Sequence, residues 1–393
     1  MIMAAMNQPV PSRELPTLPL MHAGFLLAGL ATMLLGPILP LLSRQWHLQD
    51  SQAGLLLLAQ FTGATLGGAT VSKRLPQAFL LGLTAAAAGF LLFALAPNLI
   101  IACLGLLLGG FGVGRIIASV NIIAGSRFTH QRGSALARLN LSFSLGCLLS
   151  PLLAAQLAPR FHLPHLLTGF AALFLCVALA LRFELRRPAQ TEAEADPILD
   201  GPILTNIFLL FAAILFLYGG LETCLSGWLT TYALRYGQTS LVLSQYTFVL
   251  LLCGLIAGRA FAAWLLTHIP EATLLRIALG LTILSAAGLA TATRAPLIAT
   301  LAVLLGVCLA PVFPASFALY MATKPSARQA GLVLAASGLG AAAIPWLMGV
   351  VSTHSGSLRF ALTLPVATAF ALLLLSLSPR SGPAPHEVVP ARH

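Results

Sequence analysis

The sequence predicts an all-α membrane protein with twelve transmembrane helices in two six-helix pseudo-repeat halves. Three observations predict it. The 393 residues are 58% hydrophobic and only 8% charged, with mean hydropathy +0.94, whereas a soluble domain carries about 25% charged residues. Lys and Arg concentrate in alternate loops. Matching glycine and proline patterns recur at about half the chain length.

Pro, Gly and charge divide the chain into apolar segments at 20–42, 51–72, 76–96, 98–126, 133–158, 163–183, 203–235, 241–267, 271–292, 295–321, 327–352 and 357–378. Each is long enough to span a bilayer. The runs are continuously apolar and not alternating, which selects helices over a barrel. The first run has no small-residue cleavage site after it, so it is expected to be a membrane helix and not a cleaved signal.

With the N-terminus placed in the cytoplasm, fifteen Lys and Arg residues fall inside and five outside. The positive-inside rule then puts both termini in the cytoplasm of a cell (inner) membrane protein. The net charge of +11 is mostly this topology signal. Residues 184–202, ELRRPAQTEAEADPILDGP, hold five acids and two arginines. They read as a cytoplasmic linker between an N-terminal half, 1–183, and a C-terminal half with its tail, 203–393. Segment five holds Gly146 and Pro151, and segment eleven holds Gly340 and Pro345, offset by 194 residues. Segments two and eight share Gly63/Gly67 and Gly254/Gly258. A repeat of six-helix halves is a transporter architecture.

Several stretches resemble the major facilitator superfamily, and within it the fucose/glucose/galactose–proton symporter group. They are LLGPILPLL (34–42), GGFGVGRIIASVN (109–121), RGSALARLNLSFSLGCLLSPLL (132–153) and SGLGAAAIPWLMGVVSTHSGSLR (337–359). The resemblance implies a twelve-helix fold whose helices 1, 4, 7 and 10 line a central cavity. It also implies alternating-access transport of a solute, a hexose, with protons. Two departures stand out. The fucose symporter has acids in its first and fourth helices, and this chain has none in 20–42 or 98–126. GGATVSKRLPQ (67–77) keeps the superfamily's glycines and basic residues but lacks its Asp.

Glu222 is the acid nearest the middle of an apolar segment, and Arg115 is the comparably deep base. An intramembrane charge is a functional candidate by default. Both therefore stand as proton-coupling candidates: an ion pair broken during transport, a static neutralising pair, or a protonated Glu222 without a partner. Tyr218, Glu222 and Ser226 share one helical face. The substrate-binding candidates are Gln60, Asn121, Asn140, Ser144, Tyr218, Ser226, Trp228, Ser316 and Tyr320. Helix adhesion is the competing reading for the amides, and helix or lipid packing for Trp228. Pro37, Pro40, Gly146, Pro151, Pro311, Pro314, Gly340 and Pro345 are expected to kink or gate helices. Trp46, Tyr232 and Tyr236 read as an aromatic belt. His22 and the remaining histidines read as solvated.

The six cysteines lie inside apolar runs without CxxC spacing, so neither a disulfide framework nor a metal site is expected. No phosphate-cradling loop, zinc spacing or nucleophile elbow points to an enzyme or a cofactor. The scattered basic residues do not suggest nucleic acid. The expected partners are a small solute, protons and the bilayer, with no obligate protein partner. Two rival readings remain: an exporter of amphipathic drugs, and a non-transporting membrane receptor or scaffold.

Overall fold

The computed structural model describes residues 16–71, 74–127, 132–185, 206–265, 268–323 and 327–377. Lys73, both terminal tails and nearly all of the 184–202 linker lie outside these residues. Fourteen helices are present among the described residues: α1 (Leu18–Gln45), α2 (Asp50–Ala69), α3 (Leu75–Ala94), α4 (Leu99–Arg127), α5 (Arg132–Leu157), α6 (Leu163–Glu184), α7 (Asn206–Tyr236), α8 (Leu241–Leu265), α9 (Glu271–Thr291), α10 (Ala295–Leu309), α11 (Val312–Ala322), α12 (Ala327–Ser355), α13 (Leu358–Ala361) and α14 (Thr363–Ser376). Helices dominate because a bilayer offers no water to satisfy backbone N–H and C=O groups.

Two predicted segments are each built from two helices. The tenth breaks into α10 and α11 at Ala310–Pro311. Pro311 lacks the N–H that a continuing helix needs, whereas Pro314 falls in the first turn of α11, where no intrahelical donor is required. The twelfth divides into α13 and α14 at Leu362. Pro37 and Pro40 in α1, Pro151 in α5 and Pro345 in α12 sit inside continuous helices.

Among the described residues, eleven helical spans are long and apolar enough to cross a membrane, with α10–α11 and α13–α14 each counted as one. The predicted second segment, α2, falls short of that measure. Its sequence, DSQAGLLLLAQFTGATLGGA, dilutes the apolar run with Asp50, two glutamines and four glycines. Large apolar side chains such as Ile100 (71%) and Leu284 (68%) are exposed. Water would penalise such a surface and lipid tails accept it.

The described residues form two packing units. One holds 16–32, 63–149 and 161–185; the other holds 33–62, 150–160 and 206–377. The boundaries cut through α1, α2 and α5. In the first unit the glycine-rich helix α4 is pressed between α2 and α3. A Cβ on Gly63 or Gly67 would meet the carbonyl of Leu107 or Phe111, and one on Gly112 would meet Ala86 and Gly82 backbone. In the second unit Gly254 and Gly258 of α8 meet Val303 and Val307 of α10 in the same way. Small residues let backbones approach where lipid provides no hydrophobic drive.

A second pair of contacts also repeats. Gly29 of α1 faces the Phe143 carbonyl of α5, and Gly146 of α5 faces the Leu26 carbonyl of α1. Likewise Gly219 of α7 faces the Ser337 carbonyl of α12, and Gly340 of α12 faces the Phe216 carbonyl of α7. Gly146 and Gly340, offset by 194 residues, thus each face a carbonyl of a neighbouring helix.

Candidate functional site

In the second unit Glu222 is half-buried on α7. Tyr218 lies one turn earlier on the same helical face, with its phenol close to the Glu222 carboxylate. Tyr218 is 3% exposed, and its ring lies 5.8 Å from Phe313 of α11, which stacks on Phe317. An acid, a phenol and two phenyl rings are thus gathered by α7 and α11.

Ser316 and Tyr320 follow on α11 at i, i+4 spacing and are 0% and 1% exposed. Their hydroxyls have no hydrogen-bond partner among the described residues. The Tyr320 ring lies 5.2 Å from Phe211 of α7. A buried hydroxyl without a partner costs about 1–3 kcal/mol, so these two groups have bonding capacity to offer a polar guest.

Other predicted residues are occupied by packing. The Trp228 indole N–H donates to the Pro345 carbonyl at 3.0 Å. Ser226 Oγ turns back to the Thr223 carbonyl at 3.4 Å, while the Ser226 carbonyl meets Gly36 of α1. Gln60 is buried in α2. Pro37 accepts a bond at its carbonyl from the Gln245 amide at 3.0 Å.

Arg115 belongs to the first unit. Its Nη1 donates to the Thr70 carbonyl at 3.0 Å and to the Thr70 hydroxyl at 3.2 Å, and its guanidinium lies 5.4 Å from the Phe111 ring centre. Thr70 directly follows α2, so the cation meets the negative end of that helix dipole. In the same unit Asn121 and Ser144 are half-buried and Asn140 is exposed.

Two readings change. Tyr232 is not a belt residue: it is 0% exposed, and its hydroxyl donates to the Leu289 and Ala292 carbonyls at 2.6 and 3.1 Å, closing the end of α9. His22 is not solvated: it is half-buried, with Nδ1 2.7 Å from Ser142 Oγ on α5. Each lies at a helix end, but a neighbouring helix reaches it there.

Sequence reasoning also missed a polar cluster. Asp50, in the first turn of α2, is 8% exposed. Arg235, near the end of α7, grips both its oxygens at 2.5 and 2.6 Å, and Ser352 of α12 donates to Oδ2 at 2.5 Å. The next backbone N–H, on Ser51, donates to Thr353 Oγ1 at 2.8 Å. Asp50 looked like one more acid at a helix end. Its proximity to a segment boundary hid its burial.

Apolar spans carrying buried polar side chains define a polytopic helical membrane protein of the transporter type. The chain belongs to the Major Facilitator Superfamily, whose family profile matches residues 21–330. Members of this family are transporters and not enzymes. A mouse (Mus musculus) sodium-dependent glucose transporter 1A is 28% identical over 139 residues, covering 34% of this chain and 33% of the relative. The chain thus matches about a third of the length of that curated relative. Among solved structures, the nucleoside transporter NupG is 13% identical with a TM-score of 0.74, over 91% of this chain and 98% of that one. The E. coli fucose–proton symporter is 18% identical with a TM-score of 0.60, over 91% and 97%. At these identities the structural likeness establishes the fold alone.

Proposed function

We propose that this protein is a secondary active transporter that carries a neutral polyhydroxylated solute, a hexose, across the cell membrane by alternating access with proton coupling. The observation that carries the reading is the placement of Glu222 next to Tyr218, whose ring packs 5.8 Å from Phe313. Glu222 is a titratable carboxyl within a membrane span, with the Tyr218 phenol beside it. The adjacent rings offer the flat apolar face on which a sugar ring stacks, and the Ser316 and Tyr320 hydroxyls offer bonds to its hydroxyls. The glucose-transporting relative and the fucose–proton symporter support the same class.

In this reading α2 is the twelfth crossing, the two six-helix halves are the repeat units, and both termini face the cytoplasm. Arg115 is the second charge of the coupling cycle, acting on the end of α2 through Thr70. Asn121, Asn140, Ser144 and Gln60 remain proposed solute contacts.

The test is uptake by purified protein in proteoliposomes, with a monosaccharide panel and with and without an imposed proton gradient. Sugar accumulation that collapses with the gradient is expected. A site built to bond a hydroxyl rejects the analogue that lacks it, so a transported sugar should raise the melting temperature and one deoxy analogue should not. If no sugar or polyol shifts melting while lipophilic cations do, the aromatic face serves an exporter of amphipaths instead.

A further inference from the structure

The Asp50 cluster joins three segments that are far apart in sequence. Arg235 is 185 residues from Asp50, and Ser352 is 302. All three belong to the second packing unit, but Asp50 reaches it on a piece of α2 that ends at Thr62, the rest of that helix packing in the first unit. The same split occurs in α1 at Thr32 and in α5 at Leu149. Three helices thus lend one end each to α7, α8 and α12.

The seam along which they meet is smooth. Gly36 of α1 faces the Ser226 carbonyl, Gly54 of α2 faces Trp346 backbone, and Gly349 of α12 faces the Asp50 carbonyl. Gly227 of α7 receives the Leu57 side chain. Contacts made by glycine on backbone do not interlock, so they can part without rotamer changes. What holds such a seam in one register must be directional, and along it the three bonds to the Asp50 carboxylate are directional and charge-assisted.

The pair is also built to open. The Arg235 side chain is 38% exposed against 8% for Asp50, so water can hydrate the guanidinium as it leaves. Asp50 sits in the first turn of α2, where the positive end of the helix dipole stabilises a released carboxylate. A pair buried on both sides would strand two charges on opening; this one strands neither.

We infer that Asp50, Arg235 and Ser352 form a latch that holds the Asp50 end of the transporter closed, and that its release admits solute from that side. The inference rests on the alternating-access reading above, and the cytoplasmic placement of the termini proposed with it makes the Asp50 end the external one. It does not depend on which solute is carried.

The test uses full-length protein on a cysteine-free background with Leu57→Cys as a reporter. Leu57 is 2% exposed behind the latch. The probe is a membrane-impermeant maleimide applied to intact cells and to inverted vesicles. Asp50→Asn and Arg235→Gln should each raise the labelling rate from outside about tenfold, the change that corresponds to 1.4 kcal/mol of lost closure. Ser352→Ala leaves the ion pair intact and should raise it by a smaller factor. A rise seen only in inverted vesicles keeps the latch and overturns the assigned orientation. Unchanged labelling in all three variants on both sides overturns the latch. If the charge variants do not fold, Ser352→Ala decides: no rise in it refutes the latch.

Discussion

The indole N–H of Trp228 donates to the carbonyl oxygen of Pro345, tying α7 to α12 across 117 residues of sequence. The same two helices also meet at Gly219, against Ser337, and at Gly340, against Phe216. Trp228 is 1% exposed and its single donor is used. Its geometry is that of a helix tie.

Trp228→Phe keeps most of the ring and removes the donor. Interhelical bonds in membranes contribute about 0.6–2 kcal/mol, so the melting temperature of the purified protein should fall while the KM for the transported solute stays near that of the parent. A raised KM with unchanged melting would place Trp228 against the solute.

Gly340 offers a sharper packing test. A Cβ there would overlap the Phe216 carbonyl, whereas Gly331 on the same helix has open space around it. Forced overpacking costs about 1–3 kcal/mol, and Gly to Ala at an open helical site gains up to about 1 kcal/mol. Gly340→Ala should lower folded yield and melting temperature, and Gly331→Ala should leave both level or raised. Equal effects would show that the α7–α12 seam yields more readily than its backbone contacts imply.

Glu222→Gln retains size and hydrogen-bonding capacity but cannot titrate. Gradient-driven accumulation should drop to the level of a gradient-free control, while counterflow exchange of labelled for unlabelled solute continues. Normal accumulation in this variant would remove Glu222 from the coupling cycle.

The assigned orientation makes its own prediction. Fifteen of the twenty Lys and Arg residues other than Arg115 fall on the side given to the termini. Ala195→Cys on a cysteine-free background should resist impermeant labels in intact cells and react in inverted vesicles. Rapid labelling from outside reverses the topology.

Much of the architecture was legible because hydropathy is additive along the chain. A bilayer-length apolar run needs no partner to declare itself, so the segment limits fell within several residues of most helix ends. The glycine pairs were legible as well: close helix approach needs an absent side chain, and absence shows in the sequence. Gly63/Gly67 and Gly254/Gly258 pointed to equivalent contacts that the structure contains. The tenth segment breaks at Pro311, while the helices that carry Pro151 and Pro345 run on through them, since a membrane helix can carry a proline without ending.

Burial at helix ends was not legible. Asp50, Tyr232 and His22 all lie near segment boundaries, where composition suggests water or headgroups. Asp50 is buried because α7 and α12 extend past the start of α2 and supply Arg235 and Ser352. Tyr232 is buried because the end of α9 offers it two carbonyls. His22 is half-buried because Ser142 of α5 lies against it. The sequence by itself determined the membrane class, the segments and the small-residue contacts, each a property of a few neighbouring residues. The tertiary structure alone decided which charges are paired and which helices divide between two packing units. Those depend on partners up to 302 residues away, brought to hydrogen-bonding distance only by the packed chain.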